Sequence, residues 1–155
     1  MFVKKILTVF IFLIFAACGF EPIYSNKNIG DLNINILSIE GDKNINKNIK
    51  NKLSRYTNKE IDNKLTKNFN INVKTTFEKN IIAKDKTGAA SDYQLVVNAT
   101  VDVTYNSKIK KLTFSEKFNY KKMSDNLDEK NYEKIVIENL VSTISEKLTT
   151  ELSRM

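Results

Sequence analysis

The 155-residue chain has no histidine, one cysteine, one proline and four glycines. Without histidine it lacks the commonest general base and a common zinc ligand. A single cysteine, Cys18, excludes an internal disulfide, and its place near the N-terminus leaves the rest of the chain without a thiol nucleophile. No glycine-rich phosphate loop and no Gly-x-Ser-x-Gly elbow is present. Carboxylates and serines remain, but no spacing points to catalysis. The chain reads as a non-enzyme without cofactor or metal.

What is present begins with Met1-Phe2-Val3-Lys4-Lys5, a positive start. An apolar run from Ile6 to Ala17 follows, interrupted only by Thr8, and ends Phe15-Ala16-Ala17-Cys18. Positive start, apolar middle and small-residue exit form a secretory signal. The run is shorter than the roughly 20 apolar residues of a membrane span. Cys18 stands where cleavage is expected, and the segment resembles a lipobox with Phe15 in the usual leucine position. Such a cysteine is acylated and becomes the new N-terminus. One acyl chain holds weakly, and durable anchoring takes at least two; lipoprotein cysteines typically carry three. Gly19 in place of an inner-membrane-retaining aspartate points to the outer membrane, on its periplasmic face.

Residues 1–17 are therefore read as a leader, 18–30 as a lipidated N-terminus and tether, and 31–155 as one domain. Loss of the leader removes Lys4 and Lys5, so the formal charge falls from +7 to +5. The abundance of Lys, Asn and Ile resembles the coding bias of an AT-rich genome, so positive charge alone does not argue for a ligand. Nucleic-acid binding is opposed by the export signal and by the scarcity of aromatics among the lysines.

Periodicity places the elements. Leu32, Ile34 and Ile36 alternate with asparagines, and the phase then shifts to Leu37 and Ile39, the mark of a bulge or strand end. Gly41-Asp42 closes this strand. Ile45, Ile49, Leu53 and Tyr56 form a helical stripe, capped by Asp42 or Asn44. The surrounding Lys43, Lys47, Lys50, Lys52 and Arg55 read as a solvated face. Strands follow through Phe69, Ile71, Val73, Thr75 and Phe77, then from Tyr93 to Tyr105, then through Leu112, Phe114, Phe118 and Tyr120, where Glu116 breaks the face. Asn106-Ser107 is a turn between the last two. A final helix spans about Asp128 to Leu152, with Tyr132, Val136, Leu140, Ile144, Leu148 and Leu152 every fourth residue, widened by Ile135, Ile137 and Val141. The predicted fold is α+β: a two-layer sandwich with both helices on one face of a four-stranded mixed sheet, in the order β-α-β-β-β-α. A right-handed crossover makes the first two strands parallel, and hairpins make the others antiparallel.

After the cysteine stands Gly19-Phe20-Glu21-Pro22-Ile23-Tyr24-Ser25. This resembles the opening of the lipopolysaccharide-assembly lipoprotein family (LptE), whose alphaproteobacterial members often begin Cys-Gly-Phe-x-Pro-Leu-Tyr-Gly. Cys18, Gly19, Phe20, Pro22 and Tyr24 match, and Ile23 and Ser25 depart. The segment Ala90-Ser91-Asp92-Tyr93-Gln94-Leu95, the stretch Phe118-Asn119-Tyr120 and the long C-terminal helix are similarly placed in that family. The resemblance implies two helices on a four-stranded sheet and a role as partner and plug of the LptD-type outer-membrane β-barrel. It also implies help in that barrel's assembly and contact with lipopolysaccharide in transit to the outer leaflet.

Lipopolysaccharide phosphates call for fixed positive charge. Between Lys108 and Lys122 six lysines face one acid, Glu116. Lys108, Lys110 and Lys111, near the hairpin tip, are the candidate contact; equally, lysines on an edge strand discourage aggregation. The alternative function is a periplasm-facing lipoprotein that activates or scaffolds a cell-wall (peptidoglycan) synthesis enzyme.

Overall fold

A computed structural model describes residues 32–57 and 66–155. The leader, Cys18, the motif residues Gly19, Phe20, Pro22 and Tyr24, and the tether lie outside the described residues. Strand β1 spans Leu32–Glu40, helix α1 Lys43–Leu53, β2 Lys67–Lys84, β3 Ala90–Tyr105, β4 Lys108–Lys121 and helix α2 Asn126–Ser153. A single 3-10 turn, Ser54–Tyr56, extends α1. The sheet order is β1-β2-β3-β4, with β1 parallel to β2 and the remaining pairs antiparallel. The expected order and α+β class are observed.

Alternation decides which face is covered. Leu95, Val97, Ala99, Val101 and Val103 of β3 are buried, together with Phe69, Ile71 and Val73 of β2 and Leu32 and Ile34 of β1. Ile45, Ile49 and Leu53 of α1 and Val136, Leu140, Val141, Ile144, Leu148 and Leu152 of α2 join them in one core. Ile135, expected in the α2 stripe, is 57% exposed: it lies about 100° around the helix from Val136, on the far side from the core.

Local chemistry sets the boundaries. The register of β1 slips between Ile36 and Ser38, so Leu37 is the extra residue of a bulge and its side chain is exposed. Asp42 caps α1, accepting from the N–H groups of Asn44 and Ile45 at 2.9 and 3.0 Å. Asp125 does the same for α2, accepting from Leu127 and Asp128. Positive φ at both Asn106 (48°) and Ser107 (61°) gives the tight β3–β4 turn the backbone twist that two-residue hairpins need. Strand β2 runs beyond Phe77 to Lys84, where it pairs only with β3, and Ile81 and Ile82, at a register break, are both exposed.

Gly41 joins β1 to α1 at φ +107°, and a Cβ there would stand 2.0 Å from the Thr75 carbonyl oxygen. Gly88, in the β2–β3 turn, has φ +85° and open space around it. Gly41→Ala is expected to cost about 2–4 kcal/mol, combining backbone strain with a clash against β2. Gly88→Ala should cost only the strain, about 1 kcal/mol. Urea denaturation of both variants checks this; equal losses would contradict the close approach at Gly41.

Candidate binding surfaces

The face of the sheet away from the helices is mostly polar, rows of amides and hydroxyls with charged side chains such as Lys74, Asp102 and Lys111 among them. Along the parallel pair, register sets amide against amide. Asn33 Nδ2 donates to Asn68 Oδ1 at 2.9 Å, Asn35 Nδ2 to Asn70 Oδ1 at 3.1 Å, and Ser38 Oγ to Asn72 Oδ1 at 2.8 Å. Further across, Asn98 donates to Thr76 and Gln94 to Asn119. The surface is open and offers hydrogen-bond donors and acceptors.

The three candidate lysines are exposed but do not share a face. Lys108 and Lys110 pair in register with Tyr105 and Val103, which places them on the helix side, beyond the reach of the core. Lys111 pairs with Asp102 on the open face, next to Ile109, which is 76% exposed. Lys117 and Lys121 share that open face, and Lys121 stands opposite Asp92. Acids across the ladder thus offset two of the three open-face lysines, while Lys108 and Lys110 face none. Strict alternation along β4 was the signal that could have separated them. Because β4 is a sheet edge, the protective role of these lysines fits the topology as well.

Sequence reasoning missed a polar cluster where α2 begins. Lys79 of β2 reaches Glu129 (3.0 Å) and Glu133, and lies 4.0 Å from the centre of the Tyr93 ring. The Tyr120 hydroxyl donates to Glu133, and the Met123 N–H donates to Glu129 Oε2 at 3.0 Å. Tyr93 and Tyr120 stack at 5.5 Å, with Tyr132 5.8 Å from Tyr120. Burial alone would lower the Lys79 pKa, but hydrogen bonds to Glu133, Tyr120 and Glu129 overcome it and raise the pKa above the ordinary lysine value. Burial, then the bond to Glu133, pushes the Tyr120 phenol up. The Lys79 hydrogen bond holds the Glu129 carboxyl below the ordinary carboxylate value, against desolvation. Lys79 stands 50 and 54 positions from Glu129 and Glu133, so no local pattern announces the cluster. A second ion pair, Lys147–Glu116, accounts for the charge that interrupts the β4 pattern.

Among the described residues no group of His, Cys, Asp or Glu is arranged to hold a metal. No described helix is long and apolar enough to cross a membrane.

The cluster sets a pH window. Glu129, lowered when folded, contributes stability that is present above its unfolded value of 4.5 and lost as pH falls through the folded pKa. Lys79 and Tyr120, both raised, contribute stability that is full below their unfolded values of 10.5 and 10.0 and lost at higher pH. Urea midpoints measured against pH should fall more shallowly on the acid side for Glu129→Gln, and more shallowly on the alkaline side for Tyr120→Phe, than for the unsubstituted chain. Lys79→Met, which leaves Glu129 without its cation, should cost about 1–3 kcal/mol near neutrality.

No protein-family model matches the sequence, and no curated protein matches it either. Solved structures do share the fold. Rare lipoprotein B from Shewanella oneidensis superposes with a TM-score of 0.58 at 12% identity, covering 77% of this chain and 95% of that one. An uncharacterized lipoprotein B from Nitrosomonas europaea gives 0.52 at 12% identity, covering 82% and 87%. A minor lipoprotein from Acinetobacter baumannii gives 0.51 at 11% identity, covering 77% and 90%. At these identities the likeness establishes a common fold, two helices on one face of a four-stranded sheet.

Proposed function

We propose that the chain is an outer-membrane lipoprotein of the LptE type, in its alphaproteobacterial form. It is held to the periplasmic face by lipid on Cys18 and partners an LptD-type β-barrel. The observation that carries this reading is a conjunction: an export signal ending at a lone cysteine precedes a domain whose fold matches solved lipoprotein B structures. In this role the protein makes and breaks no bond. It occupies the barrel as a plug, assists its assembly, and contacts lipopolysaccharide on its way to the outer leaflet.

The polar sheet face suits such a seat, because the interior of an outer-membrane barrel is itself polar. Its amide rows supply hydrogen bonds without a large desolvation cost from unpaired charge. Lys108 and Lys110, exposed and with no acid opposite them on β3, are the better phosphate contacts of the three tip lysines.

Affinity purification of the lipidated chain from its native membranes tests the partner. Co-isolation of a large outer-membrane barrel is the expected result; recovery of a peptidoglycan-synthesis enzyme in its place would overturn the reading in favour of a cell-wall scaffold. Lys108→Glu/Lys110→Glu should weaken lipopolysaccharide binding about tenfold or more, and Lys111→Glu distinctly less, with unchanged thermal unfolding. Full binding by the double variant would remove the tip from the ligand surface.

A further inference from the structure

The two edges of the sheet are chemically opposite. Strand β4 carries Lys108, Lys110, Lys111, Lys117 and Lys121, and lysines on an edge resist the addition of another strand. Strand β1 has no lysine, and its one acid, Glu40, is its last residue. From Leu32 to Ile36 it pairs without interruption with Lys67–Ile71 on one side, and no described residue pairs with it on the other. Beside this edge runs a groove of about 850 Å³ bounded by Ile34, Ile36, Leu37, Lys50, Ser54 and Thr57.

We propose that the outer edge of β1 receives an extended strand from a partner protein, adding a fifth strand to the sheet. The occupant's pattern is dictated by the two faces. On the open face Asn33 and Asn35 donate their amides to Asn68 and Asn70, and among the described residues nothing donates to their own Oδ1 atoms. Residues with amide or hydroxyl side chains opposite them continue the row. On the helix face, apolar residues lie against Ile34, Ile36 and the groove. The groove carries one charge, Lys50, and α1 has no acid to offset it. An acidic residue at the end of the incoming strand complements it. The bulge at Leu37 ends the run of regular pairing, which limits the added strand to about five residues, roughly 17 Å. Backbone bonds supply affinity and alternate side chains supply specificity, as in other strand additions. Lys50 thereby acquires a use beyond solvation. The inference is independent of the identity of the barrel partner.

The test uses the full lipidated chain in detergent and an acetylated heptapeptide alternating valine with glutamine and ending in glutamate. Hydrogen exchange followed by mass spectrometry should show new protection over residues 32–37 on peptide addition. A peptide N-methylated at alternate residues, unable to donate along the backbone, should bind about tenfold more weakly. Lys50→Glu should weaken the glutamate-ended peptide several-fold and leave a lysine-ended one undiminished. Leu37→Lys, at an exposed position, reports whether a lysine on this edge blocks addition, and its thermal unfolding should match that of the unsubstituted chain. Three results would overturn the proposal. Residues 32–37 could be protected before peptide is added, with no dependence on concentration, meaning that the chain covers its own edge. Protection that grows with protein concentration would identify a second copy as the occupant. Equal binding of the N-methylated peptide would exclude strand addition.

Discussion

Five inward side chains of β3, Leu95, Val97, Ala99, Val101 and Val103, are each at most 1% exposed. Burying one large aliphatic side chain is worth about 1.5–3 kcal/mol, against a net stability for a whole domain of about 5–15 kcal/mol. A strand of this kind is stable only beneath a cover. The two helical stripes provide it, and because both lie on the same side, the other face stays in water. The core, the helix placement and the availability of a polar surface all follow from that one-sided burial.

The polar side chains that reach beneath the helices have partners. Lys79 is held by Glu129 and Glu133, Glu116 by Lys147, and Thr75 by Asn46 at 2.7 Å. Among the described residues no buried side-chain nitrogen or oxygen lacks a hydrogen-bond partner. Lys67 adds a contact at the end of α2, donating to the Ser153 carbonyl at 3.4 Å, where the helix dipole is negative. The amides on the open face meet no such requirement, yet they pair, because identical alternation in β1 and β2 sets them side by side.

The elements were legible wherever a local rule acts alone. Period-two alternation marked β3, the phase change after Ile36 marked the bulge, Asp42 marked a helix start, and Asn106-Ser107 marked a turn. Periodicity gives β2 too short a span because the next side chain it turns toward the helices after Phe77 is the polar Lys79, and the strand beyond it is exposed, so the apolar alternation stops. Ile135 misled because apolar character alone does not place a residue on a helix stripe. The Lys79 cluster is invisible in the sequence because four separate elements build it. For the surface lysines the position was legible but the faces were not separated, although parity along β4 distinguishes Lys108 and Lys110 from Lys111. Cys18 and the motif after it lie outside the described residues, so their reading rests on the sequence.

The strand connections also order events in time. β3 and β4 are joined by two residues, and β2 and β3 by a five-residue turn held by Asp85, which accepts from Thr87 and Ala89. The β1–β2 pairing instead closes over 35 positions, through a helix. Chain-closure entropy makes near contacts form first and distant ones later. Closure entropy therefore favours the three-stranded meander ahead of β1, whose asparagines meet Asn68 and Asn70 in register. Chain closure thus favours a stage of folding in which β2, not β1, is the open border of the sheet.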